Sequence, residues 1–351
     1  MPTPGPPAAA DLTWRPLQRA DAPAVFALVA AIEDGDAHPF RTSLPEVEDD
    51  LDSPWQDPAT DTLGGFDDAG ELRAYGGVAT RPGDTGVVRA FVHGGVHPDR
   101  RGEGIGRAVV AWLTGRAREI LAASDQELPG RIATYLEDDG PLAERHLYER
   151  AGYGTRRYYA TLRRDLAEPA PAVGLDARLR LEPWTPDLDE ATRLAHNDAF
   201  RDHWGSQPQA PELWTHGRSL FAPQWSFVVV DPAPDAAALA ADPDIEPETR
   251  AHVAAGGTLV VGYHLATRAE QDWPVQGYTS GYTDALGVRR SYRGRRIAPA
   301  LLAAGMRSFA ADRMQYAVLD VDTENPTGAY GLYSSLGYVK TVGSRMLSIE
   351  L

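Results

Sequence analysis

The 351-residue chain contains no cysteine. That excludes disulfides, a thiolate nucleophile and cysteine-based metal sites. It has no apolar run long enough to cross a bilayer. Its opening, Met1-Pro2-Thr3-Pro4-Gly5-Pro6-Pro7-Ala8-Ala9-Ala10, has neither the basic start nor the apolar centre of a secretory leader. Residues 1–11 therefore read as a disordered lead-in, with no membrane partner and a cytoplasmic location. Basic charge is scarce as well: 34 Lys and Arg stand against 50 Asp and Glu, a formal charge of −16. No nucleic-acid partner is expected, because phosphate-backbone binding relies on clustered cations. The acidity suits an amine-bearing small molecule, or solubility alone.

What the chain does have is a punctuated segment that occurs twice. The first copy runs Val96-His97-Pro98-Asp99-Arg100-Arg101-Gly102-Glu103-Gly104-Ile105-Gly106. The second runs Val288-Arg289-Arg290-Ser291-Tyr292-Arg293-Gly294-Arg295-Arg296-Ile297-Ala298. Each follows an apolar, strand-like run and opens a helix-like one. Each is followed later by a second matched phrase, Leu147-Tyr148-Glu149-Arg150-Ala151-Gly152-Tyr153 and Leu332-Tyr333-Ser334-Ser335-Leu336-Gly337-Tyr338. The offsets are 192 residues (Arg101 to Arg293) and 185 (Tyr148 to Tyr333). Two agreements in the same order indicate a duplicated domain, since a period this long exceeds any solenoid repeat.

A strand that turns tightly through glycines into a helix leaves several backbone N–H groups without partners, and the helix dipole adds positive potential there. Such a turn suits a phosphate or pyrophosphate. The pattern is not the Gly-x-x-x-x-Gly-Lys-[Ser/Thr] loop of nucleoside triphosphate sites, and it lacks the first two glycines of the dinucleotide fingerprint.

At these residues the chain resembles the GNAT acyl-CoA N-acyltransferase superfamily, whose pyrophosphate loop reads [Gln/Arg]-x-x-Gly-x-[Gly/Ala]. The first copy matches throughout; the second has Arg296 where the middle glycine belongs. The later phrase is similar to the family's Asn-x-x-Ala-x-x-Leu-Tyr-x-x-x-Gly-[Phe/Tyr]. The second half keeps nearly all of it from Asn325, with one insertion, whereas the first half has no asparagine there. The layout resembles actinobacterial tandem GNAT proteins of the mycothiol synthase type.

That resemblance implies an α/β fold: two tandem GNAT-like domains, each a mixed twisted sheet flanked by helices on both faces. The domains would be residues 12–166 and 178–351, joined by a proline-rich linker at 167–177. It implies acetyl-CoA as co-substrate, no metal, and direct attack on the thioester by a primary amine of a small molecule or peptide. The loop residues Val288, Arg293, Gly294, Arg295, Arg296, Ile297 and Ala298 would hold the cofactor, with Asn325. In the first half the equivalents are Val96, Arg101, Gly102, Glu103, Gly104, Ile105 and Gly106. In this type the carboxy-terminal half is the active one. The oligomer would be a monomer or a homodimer.

In the family the tyrosine of the Leu-Tyr pair protonates the leaving thiolate. Tyr333 holds that position in the second half and Tyr148 in the first. Either could instead be a packed ring with its hydroxyl on the backbone. Asn325 could also serve as a plain helix cap. A general base is needed to deprotonate the amine. Asp284 is the only carboxylate between Val275 and Val288; Asp320, Asp322 and Glu324 are the alternatives. His203 and Trp204, in a polar and aromatic cluster with His196, Asp198 and Trp214, are candidates for the acceptor pocket. The rival reading is a non-catalytic acyl-CoA-binding sensor or scaffold.

Local patterns predict strands at 12–17, 72–80, 87–96, 132–136 and 157–163 in the first half. In the second they predict strands at 225–231, 259–267, 275–288, 316–321 and 344–349. Helices are expected at 22–32, 108–121, 142–151, 189–200, 301–314 and 327–336. Residues 39–61 read as helical turns and loop, and 232–256 as a surface loop with one short helix.

Overall fold

The computed structural model describes residues 7, 11–201, 203–324 and 328–351. Most of the expected lead-in lies outside the described residues. The chain forms two compact units, one of residues 1–158 with 343–351 and the other of residues 159–342. Among the described residues no helix is long and apolar enough to cross a membrane.

In chain order the elements are β1 (Thr13–Arg15), α1 (Ala22–Gly35), α2 (Leu44–Leu51), α3 (Pro58–Asp61), β2 (Thr62–Phe66), β3 (Leu72–Thr80), β4 (Val88–Val96), α4 (Ile105–Ala122), β5 (Gly130–Glu137), α5 (Leu142–Arg150) and β6 (Gly154–Asp165). There follow β7 (Arg180–Pro183), α6 (Asp189–Phe200), α7 (Pro211–Thr215), β8 (Phe227–Asp231), α8 (Ala236–Ala241), α9 (Pro247–Ala254), β9 (Leu259–Thr267), α10 (Trp273–Gln276), β10 (Ser280–Val288), α11 (Ile297–Ala311), β11 (Tyr316–Asp322), α12 (Ala329–Ser335) and β12 (Val339–Glu350).

In the first unit β1 to β4 form an antiparallel meander. Then β4 pairs parallel with β5, but only from Val88 to Phe91. A parallel pair needs a crossover, and α4 supplies it. The second unit repeats the plan. Strands β7 to β10 are antiparallel, and β10 pairs parallel with β11 from Ser280 to Thr283 across the α11 crossover.

Both faces of each sheet are covered, because alternate residues of a strand point to opposite sides. In β8, Val228 and Val230 pack with Ala191 and Ala195 of α6, while Val229 packs with Ile297 and Leu301 of α11. In the first unit Val109, Leu113 and Ala117 of α4 share a core with Ala74, Val78 and Val92, while α1 and α2 build a separate one around Val25, Leu28 and Val47.

The closing strands differ from the sequence expectation. The segment at 344–349, expected to close the second sheet, pairs antiparallel with β5 from Ser344 to Glu350. The strand at 157–163, expected to end the first domain, pairs with β11 from Tyr159 to Asp165. Each unit is thus completed by a strand from the other half of the sequence, and its boundaries depart from a division at the linker. The cause is that an alternating strand fits any half-covered sheet edge of matching register; its pattern carries no partner's address.

Smaller differences have local causes. Val275 belongs to the short α10, which ends at Gly277 in the left-handed region (φ 75°), so β10 starts only at Ser280. The helical turns expected within 39–61 are α2, started by a reciprocal Ser43–Glu46 capping box, and the short α3. The excursion at 232–256 carries two helices rather than one.

Leu347 is fully buried in the first core beside residues of α4, β4 and β5. Leu347→Ala should therefore weaken the first unit by about 2–5 kcal/mol. Hydrogen exchange of the β5 amides measures this directly. Unchanged protection there would contradict the strand's placement.

Candidate functional site

The parallel pairing of β10 and β11 stops at Thr283 and Leu319. Beyond that point β10 carries a bulge. Thr283 faces Ala266 and Ala285 faces Leu265, so Asp284 is an extra residue without a partner on β9. A bulge bends its strand and re-aims a side chain. Here the separated strands border a cavity of about 620 Å³, with Thr283 to Val288 on one side and Leu319 to Asp322 on the other. Residues of α6 (His196, Ala199, Phe200) and the following His203 form another wall, and Ala329, Leu332 and Tyr333 of α12 a further one.

One end of the cavity is the turn into α11. Gly294 and Arg296 both have positive φ, 77° and 60°. Arg296 is the N-cap of α11, and no side chain caps the helix. Its first N–H groups therefore remain available to an anion. A non-glycine residue in the left-handed region carries a strain of about 1–2 kcal/mol, so the turn is held against a local preference. Arg293 helps hold it: Nε donates to the Val288 carbonyl at 3.3 Å and one Nη to the Ala199 carbonyl at 2.8 Å. Arg295 lies outward over the Tyr292 ring at 4.7 Å.

Behind the turn sits a buried ion pair. Arg289 binds Asp198 of α6, and its Nε donates to the Val260 carbonyl at 2.6 Å. Asp198 also accepts from the Glu246 N–H at 2.9 Å and the Thr249 hydroxyl at 3.0 Å. The pair joins α6, the start of α9 and the entry to the turn.

At the other end are acid–base groups. Asp284 is exposed to solvent at the cavity, while protein packed densely around it partly desolvates the carboxyl. This desolvation lifts its carboxyl above the ordinary range, with a smaller opposing effect from Arg218. Asp320 accepts a hydrogen bond from Tyr282. Burial pushes the Tyr333 phenol up to about 12, so it stays protonated at neutral pH. His196 is pushed down to about 4 by burial, with a smaller effect from His203, and is neutral.

The cavity thus brings together His203, Asp284, Val288, Arg293, Gly294, Arg296, Ile297, Ala298 and Tyr333. Arg295 and Trp204 are not among its lining residues, and His203 Nδ1 bonds the Trp204 carbonyl at 3.0 Å. Asn325 lies outside the described residues. Sequence reading does not single out Tyr263, because a tyrosine inside an apolar strand reads as core. Nor does it find the bulge at Asp284, which leaves no compositional mark.

The first-half loop lies in the first unit. Gly102 and Gly104 have φ of 83° and 85°, and Gly104 is the N-cap of α4, preceding Ile105 and Gly106. Arg101 forms a bidentate pair with Asp36 at 2.6 and 2.8 Å and reaches the Val96 carbonyl at 3.3 Å. Glu103 pairs with Arg100. Nearby Glu144 is raised to about 6 by burial and the Asp36 charge, against Arg101. The β3–β4 ladder has no bulge. Tyr148 is buried edge-on to Tyr153, with centroids 5.2 Å apart, and its hydroxyl bonds Thr134.

The model of the Acetyltransferase (GNAT) family matches residues 214–338, which fall in the second unit. A mycothiol acetyltransferase of Frankia casuarinae is 31% identical over 70% of this chain and 64% of its own length. The chain thus spans less than two thirds of that relative. A mycothiol acetyltransferase of Streptomyces coelicolor is 30% identical over 78% of this chain and 74% of its own. Among solved structures, a GCN5-related N-acetyltransferase from Sphaerobacter thermophilus superposes with a TM-score of 0.65 at 23% identity, over 97% of this chain and 96% of that one. At that identity the likeness is one of fold.

Asp198→Ala leaves the Arg289 guanidinium buried without its partner. Removing one member of such a pair costs about 3–5 kcal/mol. Denaturant unfolding should show a loss of that size, and a loss below about 1 kcal/mol would mean that the guanidinium finds water instead.

Proposed function

The chain belongs to the GNAT acetyltransferase family, and from that premise we propose that it moves an acetyl group from acetyl-CoA to a primary amine. The second unit is the catalytic one in this reading. The observation that carries it is the single cavity that runs from the open N-terminus of α11 to the carboxylate of Asp284 and the phenol of Tyr333.

The backbone N–H groups at 294–298 bind the pyrophosphate, with Arg296 beside it as a counter-charge. The thioester arm lies along the backbone that β10 exposes after Thr283. Asp284 accepts the proton of the acceptor amine, directly or through a water. Its raised pKa brings it nearer to neutral pH, where a general base works best. Nitrogen then bonds to the acyl carbon, and the carbon–sulfur bond breaks. Tyr333 gives its proton to the departing sulfur. Acceptors of the mycothiol pathway are the first to try, given the relatives' names, followed by amino sugars, amino acids and peptide N-termini. A cytoplasmic location fits such substrates.

Two features support a lesser role for the first unit. Its ladder lacks the bulge that presents Asp284, and its loop arginine is already paired with Asp36. It keeps a glycine turn suited to an anion, which favours a holding rather than a transferring function. Gly294→Pro and Gly102→Pro separate the two: the first should abolish productive acetyl-CoA binding, and unchanged affinity in both would remove the reading.

Tyr333→Phe keeps the ring and removes the proton donor. The expected outcome is a fall in kcat of about 10²–10⁴, with little change in acetyl-CoA affinity. Tyr148→Phe should be nearly silent in the same assay. Reversal of the two results would assign catalysis to the first unit.

The pH profile tests the base. Asp284 works only when ionised, and its pKa is raised, so kcat/KM should fall as pH drops through a value above the usual carboxylate range. Asp284→Asn should remove that acid limb along with most of the rate. An acid limb that survives the substitution would move the base elsewhere.

A further inference from the structure

One wall of the cavity includes His196, which is backed by the buried Tyr263, and the transfer reaction uses neither side chain. His196 Nδ1 and the Tyr263 hydroxyl lie 2.7 Å apart. Tyr263 is fully buried and pairs in register with Gly287, where an added Cβ would lie only 2.6 Å from the phenol oxygen. Close approach of the two strands therefore fixes the hydroxyl in place. The imidazole stacks on Phe200, with centroids 4.5 Å apart and planes at 11°, and is bordered by Trp214 at 5.2 Å. The ring can neither turn nor shift without disturbing three aromatic neighbours.

A phenol is a better donor than a neutral imidazole, and an imidazole nitrogen a better acceptor than a phenol oxygen. With Tyr263 donating to Nδ1, the ring carries its hydrogen on Nε2. That nitrogen has no hydrogen-bond partner among the described residues, and His196 lines the cavity.

The first unit offers a comparison. Gly95 pairs with Tyr75 just as Gly287 pairs with Tyr263. There the neighbouring helix sets Ile32 against the glycine, with Cδ1 at 2.5 Å from where a Cβ would stand. In that unit the histidine beside the tyrosine is His93 of the neighbouring strand, 6.1 Å away between centroids, while the helix presents an apolar side chain. The second unit instead holds a polar ring, hydrogen-bonded from behind and open in front.

We propose that His196 is a specificity-determining residue, whose Nε2–H donates to a hydroxyl or carbonyl oxygen carried by the acceptor amine. The acceptor class is therefore an oxygen-bearing amine, such as an amino sugar, rather than an alkylamine. The proposal rests on the reading of this cavity as the acceptor site of an N-acetyltransferase. Tyr263 acts through His196 as a positioning residue, fixing the tautomer.

The test uses a matched pair of probes, D-glucosamine and cyclohexylamine, on the full chain saturated with CoA. Binding is measured by calorimetry and transfer, with acetyl-CoA, by thiol release. His196→Phe alone orphans the buried Tyr263 hydroxyl and could weaken folding, so the decisive variant is His196→Phe with Tyr263→Phe. That double change keeps the rings and leaves no unpaired group. Wild type should bind D-glucosamine about tenfold or more tightly than cyclohexylamine, as expected when a site's donor is left unpaired by the analogue. The double variant should lose that preference through the amine Kd and KM, with the acetyl-CoA KM unchanged. No preference in wild type, or a preference that survives in the double variant, overturns the proposal. Preferential binding that disappears in the double variant supports it even without turnover, and the absence of turnover then counts against the transfer reading alone.

Discussion

The site depends on where two parallel strands stop pairing. From Ser280 to Thr283, β10 is held by β11; one residue later each strand faces the other across open space. A sheet interior leaves no room for a ligand, and its backbone groups are engaged. A sheet that parts has both room and free donors, at the carboxyl end of its parallel strands, where α/β folds commonly bind their ligands. The bulge adds a side chain to this opening. In an unbulged ladder, Asp284 would have a cross-strand partner on β9 and share the alternation of its neighbours.

A parted sheet needs support from its helices. Arg289 and Arg293 provide it by reaching from the end of β10 to the last turn of α6, one through the buried Asp198 and one through the Ala199 carbonyl. These contacts set the α6 wall of the cavity and the turn into α11 at a fixed separation. They also explain how Arg296 can occupy a left-handed position that glycine fills in the first half. A turn fixed on both sides tolerates strain that a free loop would relax. The first unit uses the same strut in another form, with Arg101 tied to Asp36 at the end of α1.

Much of this architecture was legible in the chain. The turns at 101–106 and 293–298 could be placed because glycine at a strand–helix junction marks a backbone bend that a side chain would hinder. The run Phe227-Val228-Val229-Val230 announces a strand covered on both faces, and the structure divides it between α6 and α11. What stayed hidden has one common cause: a sequence shows which residues want burial, but not which surface will bury them. The segment at 344–349 has the alternation of a closing strand, and nothing in it distinguishes β5 from any other open edge. Asp284 looks like one more strand residue, because a bulge changes the count across a ladder and not the composition. Tyr263 and His196 are 67 residues apart, and only the packing of α6 on β9 makes them a pair.

Comparison of the halves turns these details into an argument about function. Duplicated units begin alike, and neutral drift degrades them without direction. The differences here are not of that kind. At two places the second unit has a polar or strained feature where the first has a closed one: Asp284 on a bulge against an unbroken ladder, and an arginine held to a backbone carbonyl against one neutralised by Asp36. Each polar feature carries a cost in strain or desolvation that packing alone would not require. These costs fall together at the fork of β10 and β11, which is the physical ground for placing the proposed transfer there.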